Sequence, residues 1–123
     1  MNIALLITLL ISIESGGNDS AIGDGGKAYG CLQIHAGAVA DYNRLTGSSI
    51  THADCFDREV SIAVFKAYVG HYATFKRLGR KPTMEDAARI WNGGPNGYKK
   101  ACTLPYAGKL HKKLSEINGP AGL

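Results

Sequence analysis

Cysteine is scarce in this chain, and none of it is spaced for metal. Cys31, Cys55 and Cys102 are far apart and show no Cys-x-x-Cys pair, which argues against a structural zinc site. One disulfide plus a free thiol, or three reduced thiols, both remain open. His35, His52, His71 and His111 show no metal-ligand spacing either, so no metal or cofactor is expected. Internal repeats, Ser- or Pro-rich linkers and blocks of like charge are also missing. The 123 residues therefore read as one domain, 1–123, with a single modest core. The longest apolar run, Ile3 to Ile13, falls short of the roughly 20 residues that cross a bilayer, so no stable membrane insertion is expected. No Lys or Arg precedes that run, which therefore reads as the first helix of the fold rather than a signal peptide.

Glycine and positive charge are what the sequence does have. Most of its 16 glycines cluster at 16–17, 23–30, 93–97 and 119–122, the pattern of turns between packed elements. A formal charge of +4 favours an anionic partner such as cell wall, nucleic acid or an anionic membrane. The basic residues lie mostly in the second half, from Arg77 to Lys113, and equally suit a solvated face. Few aromatics are interleaved with them, which speaks against nucleic acid.

The spacing predicts an α+β chain, mostly α. Residues 3–14 are good helix formers, stopped by Gly16-Gly17. Asp24-Gly25-Gly26 is a turn signal, and Cys31-Leu32-Gln33-Ile34 alternates like a short strand, so a small hairpin follows the first helix. Ala36–Leu45 predicts a second helix closed near Gly47. Asp57 is a candidate N-cap for a longer helix, with Val60, Val64, Ala67, Tyr68, Tyr72 and Phe75 at helical spacing. Pro82-Thr83 with Asp86 predicts a helix to Trp91 that Asn92-Gly93-Gly94-Pro95 must stop. The last helix is expected from near Pro105, burying Leu110, Leu114 and Ile117, until Asn118-Gly119-Pro120 breaks it.

Two acids in the first quarter call for an explanation. Glu14 ends the apolar helix, where the negative end of the macrodipole and burial both favour the protonated form, as a general acid requires. Asp24 sits in the glycine-rich turn just after it, where Asp-Gly is also ordinary turn chemistry. A buried acid on a helix end and a solvated acid on a hairpin match the division of roles in glycoside hydrolysis.

Glu14-Ser15-Gly16-Gly17-Asn18 followed by Gly30-Cys31-Leu32-Gln33-Ile34 resembles the opening signature of the lysozyme-like superfamily, shared by lytic transglycosylases, goose-type lysozymes and phage endolysins. The stretch 84–110, with Ala88-Arg89-Ile90 and Asn92-Gly93-Gly94-Pro95-Asn96-Gly97, is similar to the corresponding block of invertebrate-type (destabilase) lysozymes. The resemblance covers about residues 3 to 117 and implies a lysozyme-like fold. It also implies a muramidase that cleaves the β-1,4 bond between N-acetylmuramic acid and N-acetylglucosamine. By position Glu14 matches the catalytic acid and Asp24, across a small gap, the second carboxylate. Tyr29, Gln33, Trp91, Asn92 and Gly93 match positions that line the sugar cleft in relatives. Trp91 departs from the Tyr or His that relatives carry there. Lacking most of the cysteines of animal invertebrate-type lysozymes, the chain resembles a phage or bacterial endolysin. The resemblance thus implies a monomer made in a bacterial cytoplasm that acts on peptidoglycan in the periplasm or outside the cell, with no nucleic-acid partner. Two rivals stand beside this reading. A lytic transglycosylase would use Glu14 alone and release 1,6-anhydro-muramyl products, and a binding module would hold cell wall without cutting it.

Overall fold

Helices carry most of the chain, and two short strands make its only sheet among the described residues. The computed structural model describes residues 1–122, and side-chain surroundings through residue 118. In order come α1 (Ile3–Ser15), β1 (Ile22–Gly23), β2 (Ala28–Tyr29), α2 (Ala36–Thr46), α3 (Arg58–Tyr72), α4 (Phe75–Leu78), α5 (Met84–Gly93) and α6 (Leu104–Gly122). None of these helices is long and apolar enough to cross a membrane. The chain gathers into two compact units, one formed by Glu14–His71 and the other by Met1–Ile13 with Tyr72–Leu123.

In the unit Glu14–His71, β1 and β2 pair antiparallel, Ile22 opposite Tyr29 and Gly23 opposite Ala28. Asp24–Gly26 forms the connecting turn, with all three residues in left-handed backbone conformations. The expected strand at 31–34 is instead a tight turn, and only Ile34 pairs, bridging back to Tyr29. Backbone conformation decides this. Gly30 (φ +83°) and Gln33 (φ +52°) are left-handed, which reverses the chain and buries Cys31 and Leu32. Gly30 is needed there twice over, since a Cβ would lie 2.1 Å from the Cys55 carbonyl oxygen. Helix α2 ends at left-handed Gly47, as its sequence predicts. The Asp57 carboxylate accepts from the amides of Glu59 at 2.8 Å and Val60 at 3.3 Å, which starts α3. Buried Val64, Phe65 and Val69 recur on one face of α3, and buried Ser61 donates to the Cys55 carbonyl at 2.6 Å.

In the other unit α1 buries Leu6, Ile7, Leu9, Leu10 and Ile11 on one side, while Ala4, Thr8 and Ser12 form an exposed face. Thr83 and Asp86 form a reciprocal capping box that starts α5, and Gly94 closes it. Ala87, Ala88 and Ile90 of α5, with Tyr106, Ala107 and Leu110 of α6, complete the buried set. Gly97 carries the closest approach, because a Cβ would stand 2.0 Å from the Arg89 carbonyl oxygen. Thr103, fully buried, donates to the Gly97 carbonyl at 2.7 Å and accepts from Arg89 Nε at 2.8 Å.

Three expectations fail here. Phe75 does not extend the α3 stripe; it begins α4, whose cap is Thr74, and is 67 % exposed. The Thr74 hydroxyl accepts from the Arg77 amide and so restarts the helix after a break. Ile117 is 53 % exposed rather than buried, and Leu114 only half-buried, because α6 outruns the packing that covers Leu110. Helix α6 also continues through Pro120 to Gly122 instead of ending at Asn118.

Candidate functional site

Glu14 stands in the last turn of α1, half-buried, at the point where an apolar helix gives way to Gly16 (φ +63°) and Gly17 (φ +91°). Its surroundings are tied down from two directions. Ser15 Oγ donates to the Cys31 carbonyl at 2.8 Å, fastening the end of the helix to the turn behind β2. Arg58, at the start of α3, donates to the Gly17 carbonyl at 2.6 Å and to the Asp19 carboxylate at 2.8 Å. The glycine segment after Glu14 is thus held although neither glycine has a side chain.

Asp24 occupies the hairpin turn with φ +51°, a left-handed conformation that Asp and Asn tolerate better than other side chains. The Lys27 amide closes the turn onto the carbonyls of Gly23 and Asp24, at 3.1 and 3.2 Å. The Asp24 side chain is 66 % exposed, and its carboxylate faces His35 Nε2 at 3.1 Å. His35 is fixed in turn, since it follows the Tyr29–Ile34 bridge and precedes the first turn of α2. A half-buried carboxyl on a helix end and a solvated carboxylate on the hairpin therefore belong to the same unit, Glu14–His71.

The expected sugar contacts separate into two groups. Tyr29 and Gln33 share the unit of Glu14 and Asp24, but both side chains are engaged by protein. The Tyr29 ring stacks on His52, with centroids 3.8 Å apart, and on Phe56 at 4.7 Å. Gln33 Nε2 donates to the Ala21 carbonyl at 3.2 Å and the Gly30 carbonyl at 3.0 Å, lacing the hairpin to the turn behind it. Its Oε1 lies against Gly23, where a Cβ would come within 2.1 Å. Trp91, Asn92 and Gly93 fall in the other unit, in the last turn of α5. Trp91 is half-buried and Asn92 exposed, while the Gly93 carbonyl accepts from Lys100 Nζ at 2.9 Å. Gly93 is required where it is, with a Cβ position 2.3 Å from Thr103 Cγ2.

Three residues of this region carry no local sequence signal. Arg58 meets Asp19 across 39 positions, and His35 and His52 come to the hairpin from separate elements. The thiols here are unreactive in kind. Burial pushes Cys31 up, and burial, with Asp54 and Cys31 nearby, pushes Cys55 up to about 11. Neither suits a nucleophile. No protein-family model matches the chain, and a search of curated proteins finds no match.

Proposed function

We propose that this chain is a peptidoglycan-degrading muramidase with a lysozyme-like fold, in which Glu14 is the general acid and Asp24 the second carboxylate. The observation that carries the reading is Glu14 itself, a half-buried carboxyl ending an apolar helix in the same unit as a hairpin that holds a solvated acid. The order helix, hairpin, then helices is consistent with that fold. In this scheme Glu14 donates its proton to the glycosidic oxygen as the bond to the N-acetylmuramyl residue breaks. Ionised Asp24 then stabilises the oxocarbenium-like charge, as nucleophile or by orienting water. The positive charge of the protein suits an anionic polymer in the bacterial wall, in the periplasm or outside the cell. Of the expected sugar contacts, Asn92 has the most accessible side chain, whereas Tyr29 and Gln33 are occupied by the protein itself.

A second reading has its own support. Asp24 is largely exposed and faces His35, so its role as a turn residue is fully accounted for. Glu14 would then act alone, first as acid and then as base, with the muramyl 6-hydroxyl attacking in place of water. The deciding experiment digests purified peptidoglycan with the wild type, Glu14→Gln and Asp24→Asn, and weighs the released muropeptides. Reducing muramyl ends made only by the wild type support the hydrolase. Products lighter by one water, persisting in Asp24→Asn, support the transglycosylase. Unchanged activity in Glu14→Gln sinks both.

A further inference from the structure

Charge is divided unevenly between the two compact units. The unit formed by Met1–Ile13 with Tyr72–Leu123 holds ten of the 14 lysines and arginines but only three of the ten acids, a formal +7. Glu14–His71 holds the other four cations and seven acids, a formal −3. The net charge of +4 therefore understates the attraction of the first unit for an anionic partner. Its densest stretch is Phe75–Lys81, with four cations in seven residues, and no Asp or Glu lies between Glu59 and Glu85.

Protein contacts sort these cations into two kinds. Arg77 is engaged by the loop beside it: Nη1 donates to the Tyr72 carbonyl at 2.7 Å and the Pro95 carbonyl at 2.8 Å, and Nη2 to Asn96 Oδ1 at 3.0 Å. Arg80 is engaged by the buried Asp86 carboxylate, with Nη2 donating at 2.6 Å. Glu85, the neighbouring acid, is met by His111 at 2.6 Å and Arg89 at 3.5 Å. Lys76 and Lys81, by contrast, are exposed and pair with no carboxylate among the described residues. Next to Lys76, Phe75 is 67 % exposed, the most exposed large apolar side chain among the described residues. The segment is well anchored. Thr74 caps α4 through the Arg77 amide, left-handed Gly79 (φ +75°) closes it, and the two arginines fasten it to Pro95, Asn96 and α5. A rigid ledge thus carries an uncovered phenyl ring together with two uncompensated ammonium groups.

We propose that this ledge docks the protein peripherally on an anionic phospholipid surface, with Lys76 and Lys81 at the headgroup phosphates and the Phe75 ring seated among the upper acyl chains. The proposal is independent of the muramidase reading. Charge complementarity sets the sign of the partner, since each basic side chain near such a surface adds attraction that falls off within a Debye length. The ring selects lipid over a soluble polyanion, because a bilayer offers an apolar phase beneath its phosphates. Single-stranded nucleic acid is matched by a run of rings along a basic groove, and the ledge presents one ring.

Co-sedimentation with vesicles of phosphatidylcholine, alone or with phosphatidylglycerol as a third of the lipid, tests this at about 0.15 M salt. The wild type is expected to bind the anionic vesicles and not the neutral ones. Phe75→Ala should weaken binding about tenfold and the pair Lys76→Ala with Lys81→Ala about 25-fold. Lys109→Ala with Lys112→Ala, which removes the same charge from α6, should weaken it by no more than about threefold. Phe75→Trp should retain binding, and its emission should shift to the blue on anionic vesicles alone, judged against the wild type with Trp91 as its sole tryptophan. Every position changed is exposed, so circular dichroism melts of the variants should coincide with the wild type. Failure of the wild type to sediment with anionic vesicles overturns the proposal. Unchanged affinity in Phe75→Ala does so too, since charge alone would then explain binding, as does an equal loss in the α6 pair, which would leave net charge without a site. Polyphosphate and oligo(dT) are titrated alongside, and their binding should not respond to Phe75→Ala. A loss on either polymer matching that on vesicles assigns the surface to that polymer and overturns the lipid.

Discussion

Removing the Asp86 carboxylate is the sharpest test of how α5 is held. The side chain is 3 % exposed, and it accepts from the Thr83 amide at 2.8 Å, the Thr83 hydroxyl at 3.0 Å and Arg80 Nη2 at 2.6 Å. In Asp86→Ala the capping box is broken and a charged pair loses its buried member. A charge-assisted bond contributes about 1.5–3 kcal/mol, and breaking a buried pair costs about 3–5. Arg80 is 53 % exposed, however, so its stranded charge rehydrates and the loss falls at the low end, about 3 kcal/mol. With an unfolding entropy of about 2.1 cal/mol/K per residue, that lowers Tm by about 12 °C. The pH dependence supplies a second signature. Burial pushes the Asp86 carboxyl up, but the bonds from Arg80 and Thr83 outweigh it and hold the pKa below its ordinary value. A depressed carboxylate stabilises the fold fully above its unfolded pKa of about 3.9 and loses that contribution as pH falls through the folded value. The gap between wild type and Asp86→Ala should therefore be constant from pH 7 to about 5 and narrow below about 4. Thermal scans by circular dichroism across that range measure it. A Tm difference under about 4 °C at pH 7, or a gap that does not narrow in acid, refutes the reasoning.

Three further outcomes are expected. Gly30→Ala, with φ +83° and a Cβ 2.1 Å from the Cys55 carbonyl oxygen, should lose about 2–4 kcal/mol in urea melts, and a wild-type midpoint would contradict the packing described. Gln33→Ala removes two bonds to the backbone and should cost about 2 kcal/mol; unchanged stability with lost lysis would instead make Gln33 a sugar contact. In native protein an aromatic disulfide reagent at pH 8 should titrate exposed Cys102 quickly and leave buried Cys31 and Cys55 untouched until denaturant is added. Rapid reaction of all three would show that the Cys31 region opens readily.

The helices were readable because their ends are written in short-range chemistry. Thr83 with Asp86, Asp57 before Arg58 and Gly47 after Thr46 each act within one turn of chain. The segment 31–34 misled for the opposite reason. Its alternation is that of a strand, but its shape is set by long-range ties, the Ser15 hydroxyl on the Cys31 carbonyl and the Cys55 backbone against Gly30. Phe75 and Ile117 have the right spacing for burial, and spacing cannot say where a core ends. In the candidate site, Glu14 and Asp24 stood out as acids in unusual places. Their neighbours did not, because Arg58, His35 and His52 gain meaning only from distant partners. The engagement of Gln33 by the backbone was equally invisible, since a glutamine beside a turn looks the same whichever way its amide points.

The left-handed backbone at Asp24 has an evolutionary consequence. Few side chains accept that conformation, and the two that accept it most readily apart from glycine are aspartate and asparagine. A single-nucleotide change converts one codon into the other, and Asp24→Asn would leave the turn, its packing and its expression almost unaltered. The carboxylate can thus be lost and regained without a non-folding ancestor in between. Position 24 is a point where a side-chain charge can be exchanged while the turn is kept.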